Sequence, residues 1–179
     1  TGLSRRAAIQ KQLLPVLLQW FAAGSDPDQA LIAFRRLSED LGESHWYLRM
    51  LRDSSGAAER MTTVLSNSRL ATSLFEKHPE AAAWFEREED LLPWTLAELA
   101  EEIQAIIDRH ESTDTAAASI RSIRRRETLR LAMGAVLGTL TLAQISQGLS
   151  DITSAYIRGL LALIRSGGSD IPVEGDRKS

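Results

Sequence analysis

Gly24-Ser25-Asp26-Pro27-Asp28 is the stretch of this chain most suggestive of a reaction. A Gly-Ser followed by paired aspartates is the pattern that holds Mg²⁺ against a nucleotide triphosphate. That chemistry wants the carboxylates projecting from a strand, with a loop between Gly-Ser and the first aspartate. Here the residues are contiguous and a proline separates the two acids, so the expectation is a helix cap at Asp26 and no metal site. His45, His78 and His110 lie far apart, and no His-x-x-x-His pair, P-loop or dinucleotide-binding glycine pattern is present. The absence of cysteine removes thiolate ligands, thiol nucleophiles and disulfides. The acids Glu86, Glu88, Glu89 and Asp90 read as a solvated polar connector.

The densest charge lies in Arg121, Arg124, Arg125, Arg126 and Arg130, five arginines with Glu127 as the acid among them. On a helix, Arg121, Arg124 and Arg125 share one face, while Ile120, Ile123, Leu131 and Gly134 share another. Glu127 falls in the middle of the apolar face, where a carboxylate is tolerated only if paired. Arg124 and Arg130 stand three residues away on either side and are the expected partners, helped by an arginine from another helix. The preferred reading is an ion-pair network that locks helices together. Its alternative is an arginine face that docks a phosphate or an acidic partner, because guanidinium binds such oxygens in pairs.

These residues need elements to hold them, and composition allows only some. The chain has 179 residues, 44% hydrophobic and 25% charged, within the range of folded soluble domains. A formal charge of −3 gives no global attraction to nucleic acid or anionic lipid, and a cytoplasmic location is expected. Arg5-Arg6 followed by Leu13 to Ala23 imitates a twin-arginine export signal, but Lys11, Gln12, Pro15, Gln19 and Trp20 break the pattern. The uncharged run Leu131 to Ser150 is long enough to span a bilayer, yet its glutamines, threonines and glycines make insertion costly. It reads instead as a packed helix pair, with Gly138 of Gly134-x-x-x-Gly138 ending a helix.

Helical periodicity runs through nearly every segment, so the fold class is all-α: a multi-helix bundle, mostly antiparallel, with a flexible C-terminal tail. Leu13, Leu17, Trp20 and Phe21 mark the first helix, which Pro15 either bends or starts. Asp26 and Pro27 open a second, with the stripe Leu31, Phe34, Leu37 and Leu41. A third carries Trp46, Tyr47, Leu48 and Leu51, and Ser54-Ser55-Gly56 is read as the turn after it. Met61, Val64 and Leu65 precede a break at Ser66-Asn67-Ser68, after which Leu70, Leu74 and Phe75 follow. Thr95 to Glu98 and Thr141 to Gln144 are capping boxes. The first opens a helix burying Leu96, Leu99, Ile103 and Ile106; the second opens one whose stripe is Leu142, Ile145, Leu149, Ile152, Tyr156 and Leu163. Between them a long helix is expected from Asp114 to Leu137.

The order of segments resembles the bacterial bifunctional glutamine synthetase adenylyltransferase/adenylyl-removing enzymes. The likeness is carried by Leu13-Leu14-Pro15, Asp26-Pro27-Asp28 with Ala30-Leu31, and His45-Trp46-Tyr47-Leu48 with Leu51. It continues through Leu65 with Ser68, His78-Pro79-Glu80, Ile123 to Glu127 with Leu129 to Ala132, Gly138, and Leu149-Ser150-Asp151. The family is implied to have two homologous halves, one attaching AMP to glutamine synthetase and one removing it, to regulate nitrogen assimilation. ATP and Mg²⁺, glutamine synthetase, a PII-type signalling protein and neighbouring nucleotidyltransferase domains are implied for the parent enzyme. The strand-borne glycine-rich loop and its metal-binding aspartates have no counterpart here, so no catalytic, cofactor or metal residue is carried over. The resemblance implies a helical connecting or regulatory region over 1–93, helices leading into the adenylylating half over 94–166, and a linker over 167–179. Against it stands an independent helical adaptor whose arginine face binds an acidic protein.

Overall fold

Short polar side chains decide where the helices begin. Asp26 Oδ1 accepts from the Gln29 amide at 3.3 Å, Ser54 Oγ from Ala57 at 3.2 Å and Ser68 Oγ from Ala71 at 3.1 Å. At Thr95 the box is reciprocal: the Thr95 amide donates to Glu98 Oε2 at 2.7 Å and the Glu98 amide to Thr95 Oγ1 at 3.3 Å. Thr141 and Gln144 repeat the exchange at 2.8 and 3.2 Å. Each cap satisfies amides that have no partner within their own helix.

The computed structural model describes residues 5–42, 44–109 and 112–168. They form α1 (Arg5–Ala22), α2 (Pro27–Asp40), α3 (His45–Asp53), α4 (Ser55–Asn67) and α5 (Arg69–Phe75). Two 3₁₀ segments follow, Pro79–Glu86 and Glu88–Leu91, then α6 (Leu96–Arg109), α7 (Thr113–Leu137) and α8 (Leu142–Gly168). No strand occurs among the described residues, in agreement with the all-α expectation. His110 lies outside them, as do residues 169–179 of the expected tail; Gly167 and Gly168 still belong to α8.

Two compact units are distinguished. One takes the residues up to Pro93 together with Thr128–Ile145; the other takes Trp94–Glu127 and the residues from Ser146 onward. In the first, α4 packs against α1, α2, α3, α5 and the first 3₁₀ segment. Alanines at 30, 33, 57, 58, 71, 81 and 82 are fully or almost fully buried, letting short helices approach closely around Tyr47, Phe75 and Phe85. Phe75 and Phe85 meet edge to face at 5.7 Å, and Arg60 clamps the end of the first 3₁₀ segment by donating to the Phe85 carbonyl at 2.9 and 2.6 Å. The second unit is built from α6, the first part of α7 and most of α8. Its core is Leu99, Ile103, Ile106, Ala116, Ile120, Ile123, Ile152, Ala155 and Leu163.

Several local expectations change. Pro15 sits inside α1, so the helix begins before it. Ser54 alone is the boundary between α3 and α4, and Ser55 and Gly56 already belong to α4. Leu31 and Leu70 face outward, because Ala30 and Ala33 on α2 and Ala71 on α5 take the buried positions. The acidic stretch folds into 3₁₀ turns that bury Leu91 while their glutamates stay exposed. On α8 the expected stripe holds at Ile152 and Leu163 but not at Leu142 and Leu149, which are exposed; the buried line runs Gly148, Ile152, Ala155, Gly159, Leu163. A Cβ on Gly159 would lie 2.5 Å from Ile103 Cγ2, so α6 and α8 approach backbone to side chain at that point.

Candidate functional site

The arginine cluster occupies the middle of α7, and each side chain has a distinct environment. Glu127 is 2% exposed, as its place on the apolar face required. Arg126 holds it, with Nε to Glu127 Oε1 at 2.7 Å. The same guanidinium forks onto Glu102 of α6, with Nη1 to Oε1 at 2.8 Å and Nη2 to Oε2 at 2.7 Å, and lies 4.7 Å from the Trp94 ring centre. The hydrogen bonds to Glu102, outweighing desolvation, raise its pKa further above the ordinary arginine value, so this charge is permanent. One cation therefore bridges two carboxylates, one of them in the core. Arg126 was not among the partners expected for Glu127, and what meets this guanidinium from the neighbouring helix is a carboxylate, Glu102. Glu102 borders the α6 stripe of Leu99, Ile103 and Ile106, which is the signal that could have found it.

Arg124 lies 4.8 Å over the ring of Tyr156 on α8. Arg121 and Arg125 are exposed, one helical turn apart, and neither makes an ion pair among the described residues. Arg130 belongs to the other unit. It is 6% exposed, stacks 3.9 Å over the Trp84 ring and donates through Nη1 to the Asp90 carbonyl. Asp90 is thereby held twice, since its carboxylate is forked by Arg87 at 2.8 and 3.0 Å. Cation–π contact with Trp84 and Trp94 was not anticipated; both tryptophans sit next to helix starts or turns, where sequence periodicity is silent.

The aspartate pair behaves as a cap. Asp26 uses Oδ1 for α2 and accepts from Arg69 at 3.0 Å through Oδ2, while Asp28 is exposed in the first turn. Among the described residues no group of three or more His, Asp or Glu side chains could hold a metal ion. With both oxygens of Asp26 engaged by Gln29 and Arg69, the Asp26–Asp28 pair does not fit a Mg²⁺–nucleotide site, and no chemical step is derived through one. His45 is exposed at the start of α3, whereas His78 is buried, with Nδ1 3.5 Å from Glu80 and Nε2 lacking a hydrogen-bond partner. Among the described residues no helix is long and apolar enough to cross a membrane.

These features define a helical scaffold braced by arginines, without a recognisable reaction centre among the described residues. A model of the glutamate–ammonia ligase adenylyltransferase family matches residues 58–171, and the chain belongs to that family. The bifunctional glutamine synthetase adenylyltransferase/adenylyl-removing enzyme of Leifsonia xyli subsp. xyli is 56% identical over 169 residues, covering 94% of this chain and 17% of its own length. Proteins of the same name from Cutibacterium acnes and Streptomyces avermitilis are 38% and 39% identical, covering 98% and 95% of this chain and 18% and 19% of theirs. The chain thus spans less than a fifth of the curated relatives it matches. No solved structure matches it.

Proposed function

We propose that this chain is a helical, non-catalytic segment of a bifunctional enzyme that attaches AMP to glutamine synthetase and removes it, so regulating nitrogen assimilation. The observation that carries the reading is the match along nearly the whole chain to proteins of that name, each far longer, combined with Asp26 spent on capping. ATP and Mg²⁺ then bind in nucleotidyltransferase domains elsewhere in the cytoplasmic parent, with glutamine synthetase and a PII-type protein as its partners. Residues 1–93 serve as a connecting or regulatory region, 94–166 as helices leading into the adenylylating half, and 167–179 as a linker. The Arg126–Glu127–Glu102 network fixes helix positions within this segment, and the segment acts on catalysis through placement of the neighbouring domains.

The test is made in the intact polypeptide containing this sequence. Glu127→Ala is expected to alter the balance between AMP attachment and AMP removal while leaving the KM for ATP unchanged. A shifted KM for ATP with an unchanged balance would put the nucleotide on this segment and contradict the proposal. A second reading, an arginine docking face, is favoured by the exposed and unpaired Arg121 and Arg125. Reversing both to glutamate should abolish binding of an acidic partner surface, and unchanged binding would count against it.

A further inference from the structure

The second unit leaves one side of α8 bare. Leu149, Ile157, Leu161 and Ile164 are 49%, 51%, 48% and 66% exposed, and with the partly buried Leu160 they occupy an arc of about 120° on the helix. This arc is separate from the buried line through Ile152, Ala155, Gly159 and Leu163. One of its edges is Tyr156, covered by Arg124 of α7 at 4.8 Å. The other edge carries Arg158 and Arg165, both exposed. The lone acid of α8, Asp151, lies on the same side of the helix as Arg158, two turns before it, and accepts from Gln147 at 2.9 Å. An apolar ridge with Arg124, Arg158 and Arg165 along its edges complements a surface that is apolar in the middle and acidic at its margins. Ser150 and Thr153 interrupt the ridge next to Leu149, but Ile157, Leu160, Leu161 and Ile164 adjoin one another, and exposed apolar residues grouped in this way on one helix mark a contact surface.

We infer that this ridge is an internal docking surface, covered in the intact enzyme by an apolar, carboxylate-edged part of the same polypeptide outside residues 1–179. More than four-fifths of the length of each relative lies outside the matched region, so the same polypeptide supplies ample surface at high effective concentration. The inference rests on the chain being part of such a longer protein, and not on what that protein catalyses.

The lack of cysteine makes the test direct. Ile157→Cys, Leu161→Cys and Ile164→Cys each introduce one thiol into the 179-residue chain, and Ala100→Cys on the exposed side of α6 serves as the control. Maleimide labelling is followed by peptide mass mapping in this chain alone and in the intact polypeptide. Labelling at the three α8 positions should slow by about tenfold or more in the intact polypeptide, with the control unchanged. Arg158→Glu, combined with Ile157→Cys, should restore much of the lost reactivity. Equal labelling in both contexts would overturn the inference. So would protection that appears in the 179-residue chain as its concentration rises, which would identify a second copy, or protection that requires addition of a separate protein. Failure of the intact polypeptide to transfer or remove AMP, with normal protection, would leave the docking intact and count against the proposed function alone.

Discussion

Arg126 and Arg130 lie one turn apart on α7 and are both stacked on tryptophan, yet they solve different problems. Arg126 answers charge with charge: it neutralises a carboxylate that the apolar face of α7 forces into the core, and it recruits Glu102 from α6. Arg130 is itself buried and meets a neutral carbonyl, that of Asp90, with the Trp84 ring over its face. The first clasp ties two helices of the second unit, and the second lies wholly within the first unit, joining Arg130 to its 3₁₀ turns. Both guanidinium groups are charges that need partners, but a second buried charge, Glu127, depends on the first clasp, whereas the Asp90 carbonyl can be served by other donors or water.

That difference orders the expected effects. Glu127→Ala or Arg126→Met leaves part of the clasp without its counter-charge and should cost about 3–5 kcal/mol in denaturant unfolding. The double replacement Arg126→Met with Glu127→Leu should cost less than either single change, because the one carboxylate left without its partner is then the part-exposed Glu102 and not the buried Glu127; a larger loss would show that Glu127 is not the costly charge. Arg130→Met should cost about 1.5–3 kcal/mol, the range for hydrogen bonds to charged groups, and Arg130→Lys should recover little because it lacks the flat face that stacks on Trp84. Gly159→Val, which drives side-chain atoms into Ile103, should cost about 1–3 kcal/mol and weaken the second unit selectively by hydrogen exchange. Gly138→Ala should cost about 1–2 kcal/mol, since Gly138 has a φ of +69° at the end of α7.

The smallest effect concerns pH. The Thr95 amide and hydroxyl hold the Glu98 carboxyl below its ordinary range. A depressed carboxyl contributes stability that is present above its unfolded pKa and lost as pH falls through its folded pKa. Fraying of the first turn of α6 should therefore begin only in acid below the usual glutamate range, and Glu98→Gln should remove that pH dependence as followed by amide exchange.

What could be read from sequence was local. The Thr95 and Thr141 boxes, the Asp26 cap and the end at Gly138 need only residues within one turn of each other, and all four are present. Burial of Glu127 was legible too, because its position on α7 follows from helical geometry. The part played by Arg126 was not, since Glu102 comes from another helix and the place of this guanidinium between two carboxylates depends on which side α6 approaches. The α8 stripe failed at Leu142 and Leu149 for a different reason. Its buried line includes Gly148 and Gly159, which a reading based on side-chain hydrophobicity passes over, so the leucines at 142 and 149 were assigned to a core that small residues occupy. Those displaced apolar residues include Leu149 on the ridge that the intact enzyme is inferred to cover.

The account stands on the segment working through position and not through a reaction centre of its own. The most direct measurement is incubation of the 179-residue chain with glutamine synthetase, α-labelled ATP and Mg²⁺, beside the intact polypeptide. The account predicts labelled glutamine synthetase only with the intact polypeptide. Transfer of AMP by the 179-residue chain alone would contradict it.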